Sequence, residues 1–533
     1  MNNVIMKIKE NKEQIVLAVV FGCFPLICAL VYSLLDGHSI SDVYLPASYW
    51  NDELFYFKQV EAVVNYGLPQ GWFGFQEMHG SVYPFAAWSP AVLIPYIIWG
   101  CLFGWGFMSP IYANIVYNMI AMVAFALLVR PGRKQSFFML LLLAAFAPYS
   151  RYLLSSMPET IYMSMGIWLA ALAISQSRVD RTWKLVAMFF ICILITLARP
   201  YLILLMALPA WLLIRKKRGT GAVISLIIAA ATAAGYFVIT NLCSSPYFIP
   251  LIETDWLNSM IDEGFMAGIK TMYQIVREKL RLLITHHLYR GFQYGLLSGA
   301  LHAVAGTIAF LLGARVLCLQ GLKVWKKGER ADYLGEKREK ECDFWLIHFV
   351  ITAGMLAAIF LFYPIADGAK HWMIFIVVGI VWIALLKERF YVMKIVTLLL
   401  CAYLFVVKAF APFDWQVPYD DGTMRAEAEE LGSQLEENMV LAESEDRFDN
   451  TVIWLASDMV NGESISAPWG YLYMIPKGFG INFCFQDYVM TNLEQLHSAY
   501  IAVMPGGDVD KALLERKAAV VGEVEHMKVY RLR

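Results

Sequence analysis

The chain has 533 residues, 59% of them hydrophobic and 16% charged, with a mean hydropathy of +0.54 and a formal net charge of -1. Soluble domains carry about 25% charged residues, so this composition excludes an ordinary soluble enzyme and points to repeated passage through a membrane. No nucleic-acid partner is expected. Charge is unevenly divided: from Phe413 onward there are 21 acidic and 9 basic residues, against 23 and 34 before it. An acidic tail follows a basic, apolar body. The nine cysteines are scattered singly, without Cys-x-x-Cys or Cys/His spacing, and read as small core residues rather than metal ligands.

The first apolar stretch runs from Ile15 to Leu35. It is too long for a signal-peptide core and no small-residue cleavage site closes it, so it predicts a retained first helix. The loop after it, 36–110, is rich in Trp, Tyr and Phe. Within it Asn51 predicts a helix cap, with Asp52 and Glu53 in the first turn. Leu54, Phe57, Val60 and Val64 fall on one face, Lys58, Gln59, Glu61 and Asn65 are polar, and Gly67 and Pro69 end the run. That pattern predicts an amphipathic helix lying on the membrane surface. Residues 90–105 predict a second interfacial helix.

Further spans are predicted at 111–129, 137–150, 159–175, 184–198, 201–214, 221–240, 292–320, 344–363, 372–386 and 395–411, making eleven with the first. The basic clusters at Lys7–Lys12, Arg130–Lys134, Arg178–Lys184, Arg215–Arg218, Lys323–Lys340 and Lys387–Lys394 then all fall on one side, the cytoplasm. The opposite side receives 36–110, the Arg151–Pro158 turn, the Arg199-Pro200 turn, 241–291, Pro364–His371 and the acidic tail. The 241–291 loop carries Lys270, Arg277, Lys279, Arg281, His286, His287 and Arg290. Cations outside break the charge rule and need a reason, such as anionic lipid headgroups or a phosphate.

Beyond Asp420 the pattern changes. A charged helix is predicted over 425–439 and another over Asp510–Lys517. Val452–Leu455, Ile481–Phe485, Tyr500–Met504 and Met527–Tyr530 read as strands. Gly506-Gly507-Asp508 alone is no nucleotide fingerprint. The expected architecture is an α-helical polytopic membrane protein over 1–412, with its N-terminus in the cytoplasm of a plasma membrane. A small extracytoplasmic α/β domain follows over 413–533.

Four features together resemble the GT-C superfamily of membrane glycosyltransferases, which use polyprenyl-phosphate sugars. They are Asp52-Glu53 in the first outside loop, Ser89-Pro90 at the head of the second interfacial helix, the Arg151–Glu159 turn opening the fourth span, and Lys370-His371 in a late outside loop. Protein O-mannosyltransferases and bacterial lipid A aminoarabinose transferases are the nearer look-alikes. The likeness covers 1–412 in architecture. Where this chain has Ser89-Pro90-Ala91 the family often shows Pro-Pro-Leu, and where it has Lys370 the family often shows Arg.

The resemblance implies an inverting transfer with Asp52 as general base and Glu53 in support. An acceptor hydroxyl attacks the anomeric carbon as the lipid phosphate leaves. The implied partners are a polyprenyl-phosphate-linked sugar, a cell-surface glycan, lipid or protein acceptor, and membrane lipids. A divalent cation is the one cofactor left open, without assigned ligands. Each site residue also has a plainer reading. Asp52 and Glu53 gain roughly 0.3–1 kcal/mol simply by sitting at a helix start. Arg151, Arg199, Lys370 and His371 end spans and could snorkel or cap, or hold the departing phosphate bidentately. Arg290 is a further phosphate candidate. Glu159 could be a first-turn carboxylate after a capping serine or an acceptor ligand, and His79 a loop residue or an acceptor ligand. Two rival functions remain. A flippase for lipid-linked glycans would want mid-span charges and repeats, and a polymerase or ligase would rely on the basic 241–291 loop.

Overall fold

The computed structural model describes residues 2–43, 51–67, 73–77, 89–243, 253–292, 369–385, 391–407 and 422–533, with isolated positions between 350 and 362 and between 417 and 420. All but the first residue of the predicted span 292–320, most of the span 344–363, the Lys323–Lys340 cluster and His79 lie outside the described residues.

Helix α1 (Asn2–Leu35) has two unlike faces. Phe21, Phe24, Cys28, Ala29 and Tyr32 are buried, while Val16, Val19, Ile27, Val31 and Leu34 point outward. Such a continuous outward apolar face needs lipid, not water, as its solvent. After α2 (Asn51–Tyr66) and α3 (Ile94–Phe103) come α4 (Ser109–Val129), α5 (Arg133–Ala145), α6 (Ala147–Leu153), α7 (Glu159–Arg178), α8 (Thr182–Ala198) and α9 (Ala207–Cys243). Pro148 in the first turn of α6 accompanies a 70° bend from α5. Within α9 the chain reverses at Arg218 (φ 45°, ψ -123°), which brings Gly221 against the backbone of Leu213 and Ile214 and Gly235 to Leu197. The predicted spans 201–214 and 221–240 are thus two arms of one hairpin, turned at the basic run.

Among the described residues three segments are long and apolar enough to cross a bilayer: Lys12–Leu35, Ser109–Val129 and Pro200–Cys243. The bent pair α5–α6 makes a fourth if it is one span. The count of eleven that hydropathy predicts is therefore not confirmed among the described residues. α8 and Ile376–Leu385 are apolar but shorter. α7 is buried nearly all round, so its Thr160, Ser164, Ser175 and Gln176 face neighbouring helices instead of lipid. Its Gly166 lies so close to the helix Ala369–Leu385 that a Cβ would meet Val378 at 2.9 Å and Ile374 at 3.2 Å. Gly166→Val is expected to cost about 1–3 kcal/mol by overpacking, read as a lower unfolding temperature in detergent.

One end of the bundle gathers the basic residues. Arg133 meets Glu13 at 2.8 Å, Lys216 meets Asp180 at 3.0 Å, Arg178 donates to the Val129 carbonyl, and Lys394 donates to the Ala384 carbonyl at 2.8 Å.

The C-terminal domain is built on a mixed sheet. Its strands are β1 (Phe73–Phe75), β2 (Thr451–Val460), β3 (Glu463–Ser466), β4 (Gly480–Phe485), β5 (Tyr500–Val503), β6 (Ala519–Glu523) and β7 (Lys528–Arg531). Their order is β1-β4-β2-β5-β7-β6, with β3 paired to β2. β1, β4, β2 and β5 are parallel, and β7 and β6 are antiparallel. All four predicted strands and both predicted helices are present, the helices as Thr423–Asn438 and Asp508–Glu515. β1 comes from the first loop, with Phe73 opposite Ile481. The glycines before Asp508 serve packing. Gly506 takes φ 74°, and Gly507 lies on the Asp458 carboxylate with no room for a Cβ. Burial pushes the Asp458 carboxyl above the usual range, against the pull of the Met459 and Val509 N–H groups.

Helix α2 differs from its expected place on the membrane surface. Lys58 and Gln59, read as its solvent side, are buried along with Leu54, Phe57 and Val60. The Lys58 ammonium donates to the carbonyls of Tyr473 and Ile475, both at 2.9 Å, and pairs with Glu61 at 2.9 Å. On another side Trp105 donates to the Phe57 carbonyl at 3.0 Å. The amphipathic pattern is real, but its polar side meets backbone carbonyls of the C-terminal domain. A second seam joins Arg425 to the Ser41 and Val43 carbonyls at 2.7 and 2.9 Å.

Candidate active site

The Arg151–Pro158 turn is the scaffold. It breaks away from α6 with Leu154 N–H bonded to the Arg151 carbonyl, and the Ser155 hydroxyl returns to the Tyr152 carbonyl at 2.9 Å. Asn114 of α4 reaches into it and donates to the Ser155 carbonyl at 2.6 Å. The Tyr96 hydroxyl of α3 lies between Asn114 Oδ1 at 2.8 Å and the Met157 carbonyl at 3.1 Å. One helix turn on, Asn118 donates to Thr160 Oγ1 at 3.1 Å. All of these groups are buried, so each must find its partners inside the protein. Asn114→Ala would strand the Tyr96 hydroxyl and the Ser155 carbonyl together. A loss of about 1–3 kcal/mol is expected, measurable as a lowered unfolding temperature, with Asn114→Asp falling short of rescue.

Two segments that carry candidate residues meet this turn. The first is the start of α2. Ser156 donates to the Glu53 carbonyl at 3.1 Å, and Glu53 itself is fully buried. Asp52 precedes it in the first turn of α2, and its side chain lies outside the described residues. The second is the end of α8, where Arg199 leaves the helix in an extended conformation (φ -138°, ψ 101°) because Pro200 follows. Arg199 Nη2 donates to Glu159 Oε1 at 2.8 Å, and the two side chains are 0% and 5% exposed. The guanidinium lies 5.9 Å from the Tyr162 ring centre, with Tyr56 and Tyr201 also within its electrostatic reach. Tyr96 is within electrostatic reach of both Glu53 and Glu159, so the two segments form one buried polar cluster.

Arg199 is therefore enclosed and matched by a carboxylate, where the sequence suggests a residue at an open edge. Glu159 does not follow a capping serine. Pro158 occupies the cap position without a side-chain bond, and the Glu159 carboxylate turns to Arg199 instead. Arg151 is also buried, with Nη1 3.4 Å from the Leu154 carbonyl, but its electrostatic neighbours are Tyr32 and Tyr419. The two arginines thus serve different sides of the turn. Lys370 and His371 lie in the first turn of the helix Ala369–Leu385 and Arg290 near the end of a helix spanning Phe265–Phe292; their side chains are outside the described residues, as is all of His79.

Tyr96, Asn114, Ser156, Tyr56 and Tyr162 are members of the cluster that sequence reasoning misses. Asn114 and Asn118, four apart in an apolar span, carried a readable signal, because amides inside a membrane helix face a partner. Among the described residues no three His, Cys, Asp or Glu side chains come together as metal ligands.

No family model matches the chain, and no curated protein matches it. Solved structures similar to it include ArnT from Cupriavidus metallidurans, in the apo state and bound to undecaprenyl phosphate. Both give 12% identity and a TM-score of 0.42, covering 97% of this chain and 97% and 98% of theirs. Another is the archaeal oligosaccharyltransferase AglB from Archaeoglobus fulgidus, in complex with an inhibitory peptide and a dolichol-phosphate. It gives 10% identity and a TM-score of 0.45, covering 96% of this chain and 73% of that one. At these TM-scores the likenesses carry no inference about chemistry.

Proposed function

We propose that the protein is an integral membrane glycosyltransferase of the GT-C type, moving a sugar from a polyprenyl-phosphate donor to a hydroxyl acceptor on the outer side of the plasma membrane. The observation that carries this reading is the Ser156–Glu53 contact. It brings the backbone of Glu53, the neighbour of Asp52, against the Arg151–Pro158 turn.

Asp52 is the general base. It takes the proton of the acceptor hydroxyl as oxygen attacks the anomeric carbon and the phosphate leaves. A phosphate needs no protonation to depart, so one base suffices, and a single displacement inverts the anomeric centre. Glu53, held in the cluster, orients the start of α2. Arg199, enclosed and paired with Glu159, holds the turn in place and does not itself touch the phosphate. Arg151, Lys370, His371 and Arg290 are the candidate cations for that phosphate and His79 the candidate acceptor ligand, while Glu159 acts through its pair with Arg199. Residues 1–412 form the membrane body and 413–533 the extracytoplasmic domain.

The gathering of Arg133, Arg178, Lys216 and Lys394 at one end supports that end as cytoplasmic. The C-terminal domain, α2 and the Arg199–Glu159 pair then belong to the outer side. Donor recognition is tested by unfolding the purified protein with added undecaprenyl phosphate or undecaprenol. A rise in unfolding temperature with the phosphate alone supports the reading; equal shifts, or none, count against a phosphate-binding site.

A further inference from the structure

We propose that the hairpin of α10 (Asp255–Asp262) and α11 (Phe265–Phe292) is a lipid-surface anchor whose cationic edge binds the headgroups of anionic phospholipids. Its inner side is occupied. Gly268 sits against Met260 and the Trp256 carbonyl, and buried Lys279 pairs with Glu253. Its outer side carries two rows. Phe265, Met266, Ile269 and Tyr273 form an apolar row, 65%, 75%, 39% and 65% exposed. Beside it Lys270, Arg277 and Arg281, spaced seven and four residues apart and all exposed, form a cationic row. Ile261 at the end of α10, 72% exposed, extends the apolar row. On α11 the acid beside the cations is Glu278, 3.4 Å from Arg281, and Asp255, Asp262 and Glu263 lie on α10 and the turn after it.

A helix face turned to water would not hold Phe265 and Met266 outward, and a face packed into the bundle would not carry three cations. A helix lying in the headgroup layer needs both. Its apolar row sinks about 5–10 Å into the boundary of the acyl chains, while its cations stay at the level of the phosphates. The base of the hairpin fixes that level. Glu253 N–H donates to the Phe362 carbonyl at 2.8 Å, and the Trp256 ring stands 5.4 Å from the Phe362 ring. Phe362 is at the end of the predicted span 344–363. The anchor also gives a reason for cations in a loop that the charge rule places outside.

The test uses the full chain in nanodiscs of phosphatidylcholine mixed equally with phosphatidylglycerol, with Tyr273→p-benzoylphenylalanine as a photocrosslinker and adducts identified by mass spectrometry. Lipid adducts are expected, with phosphatidylglycerol favoured on the order of fivefold. That preference should shrink in high salt and disappear in the variant carrying Lys270→Gln, Arg277→Gln and Arg281→Gln. All three residues are exposed, so an unchanged unfolding temperature would confirm that this variant folds. Crosslinks to protein alone would overturn the proposal in favour of a docking face. Lipid adducts without a headgroup preference, or with one that survives the triple substitution, would overturn the assignment to anionic headgroups.

Discussion

Asp52→Asn is expected to reduce sugar transfer by about 10²–10⁴-fold while leaving the protein folded. Asp52 and its neighbour Glu53 play different parts. Glu53 is fully buried and its backbone carbonyl accepts from Ser156, so Glu53 helps to hold the start of α2. Asparagine keeps the shape of aspartate and remains a good residue for the first turn of a helix. It cannot accept a proton at neutral pH. If Asp52 only complements the helix dipole, the substitution would cost roughly 0.3–1 kcal/mol of stability and leave turnover intact. The two readings thus predict opposite patterns in two measurements, initial rate and unfolding temperature. Glu53→Ala is the control, since emptying a fully buried site should lower the unfolding temperature as well as the rate.

Arg199→Met is expected to be the most destabilising single change, at about 3–5 kcal/mol. Arg199 and Glu159 are 2.8 Å apart and almost wholly enclosed. Removing the guanidinium leaves a carboxylate among Tyr162, Tyr96 and apolar walls with no water to solvate it. The double variant Arg199→Met with Glu159→Gln removes both charges and should recover most of that loss. The check is a double-mutant cycle on unfolding free energy, which should yield a coupling of several kcal/mol. A cost below about 1 kcal/mol for Arg199→Met, as for an exposed pair, would mean that the cluster is open to solvent.

Much of this arrangement was legible in the sequence, because the strongest signals are one-dimensional. Hydropathy and charge alternation locate α4, α7 and α8 to within a few residues and the end of α1 at Leu35, though not its start at Asn2, and alternation in the tail locates β2, β4, β5 and β7. Arg151, Glu159 and Arg199 stand out because each ends or begins a span. Their pairing was not legible, since Glu159 and Arg199 lie on different helices 40 residues apart. The same holds for Lys58, whose carbonyl partner Tyr473 is 415 residues away. A polar residue on an amphipathic helix reads as solvated until its partner is seen. β1 was invisible for a related reason. It is three residues long and is a strand only because β4 offers it an edge. The helical hairpin in 253–292 was legible as a basic amphipathic stretch, but its two rows needed the burial of its inner side to be told apart.

The most direct test of the central claim follows one sugar. Purified protein in detergent, where no vesicle exists to be crossed, is given radiolabelled polyprenyl-phosphate sugars and an extract of cell-envelope acceptors, with the wild type and Asp52→Asn side by side. The account predicts labelled acceptor and free polyprenyl phosphate in equal amounts from the wild type, and neither from the variant. Equal transfer by both proteins would contradict Asp52 as the base, and a folded wild type that consumes no donor would contradict glycosyl transfer from polyprenyl phosphate.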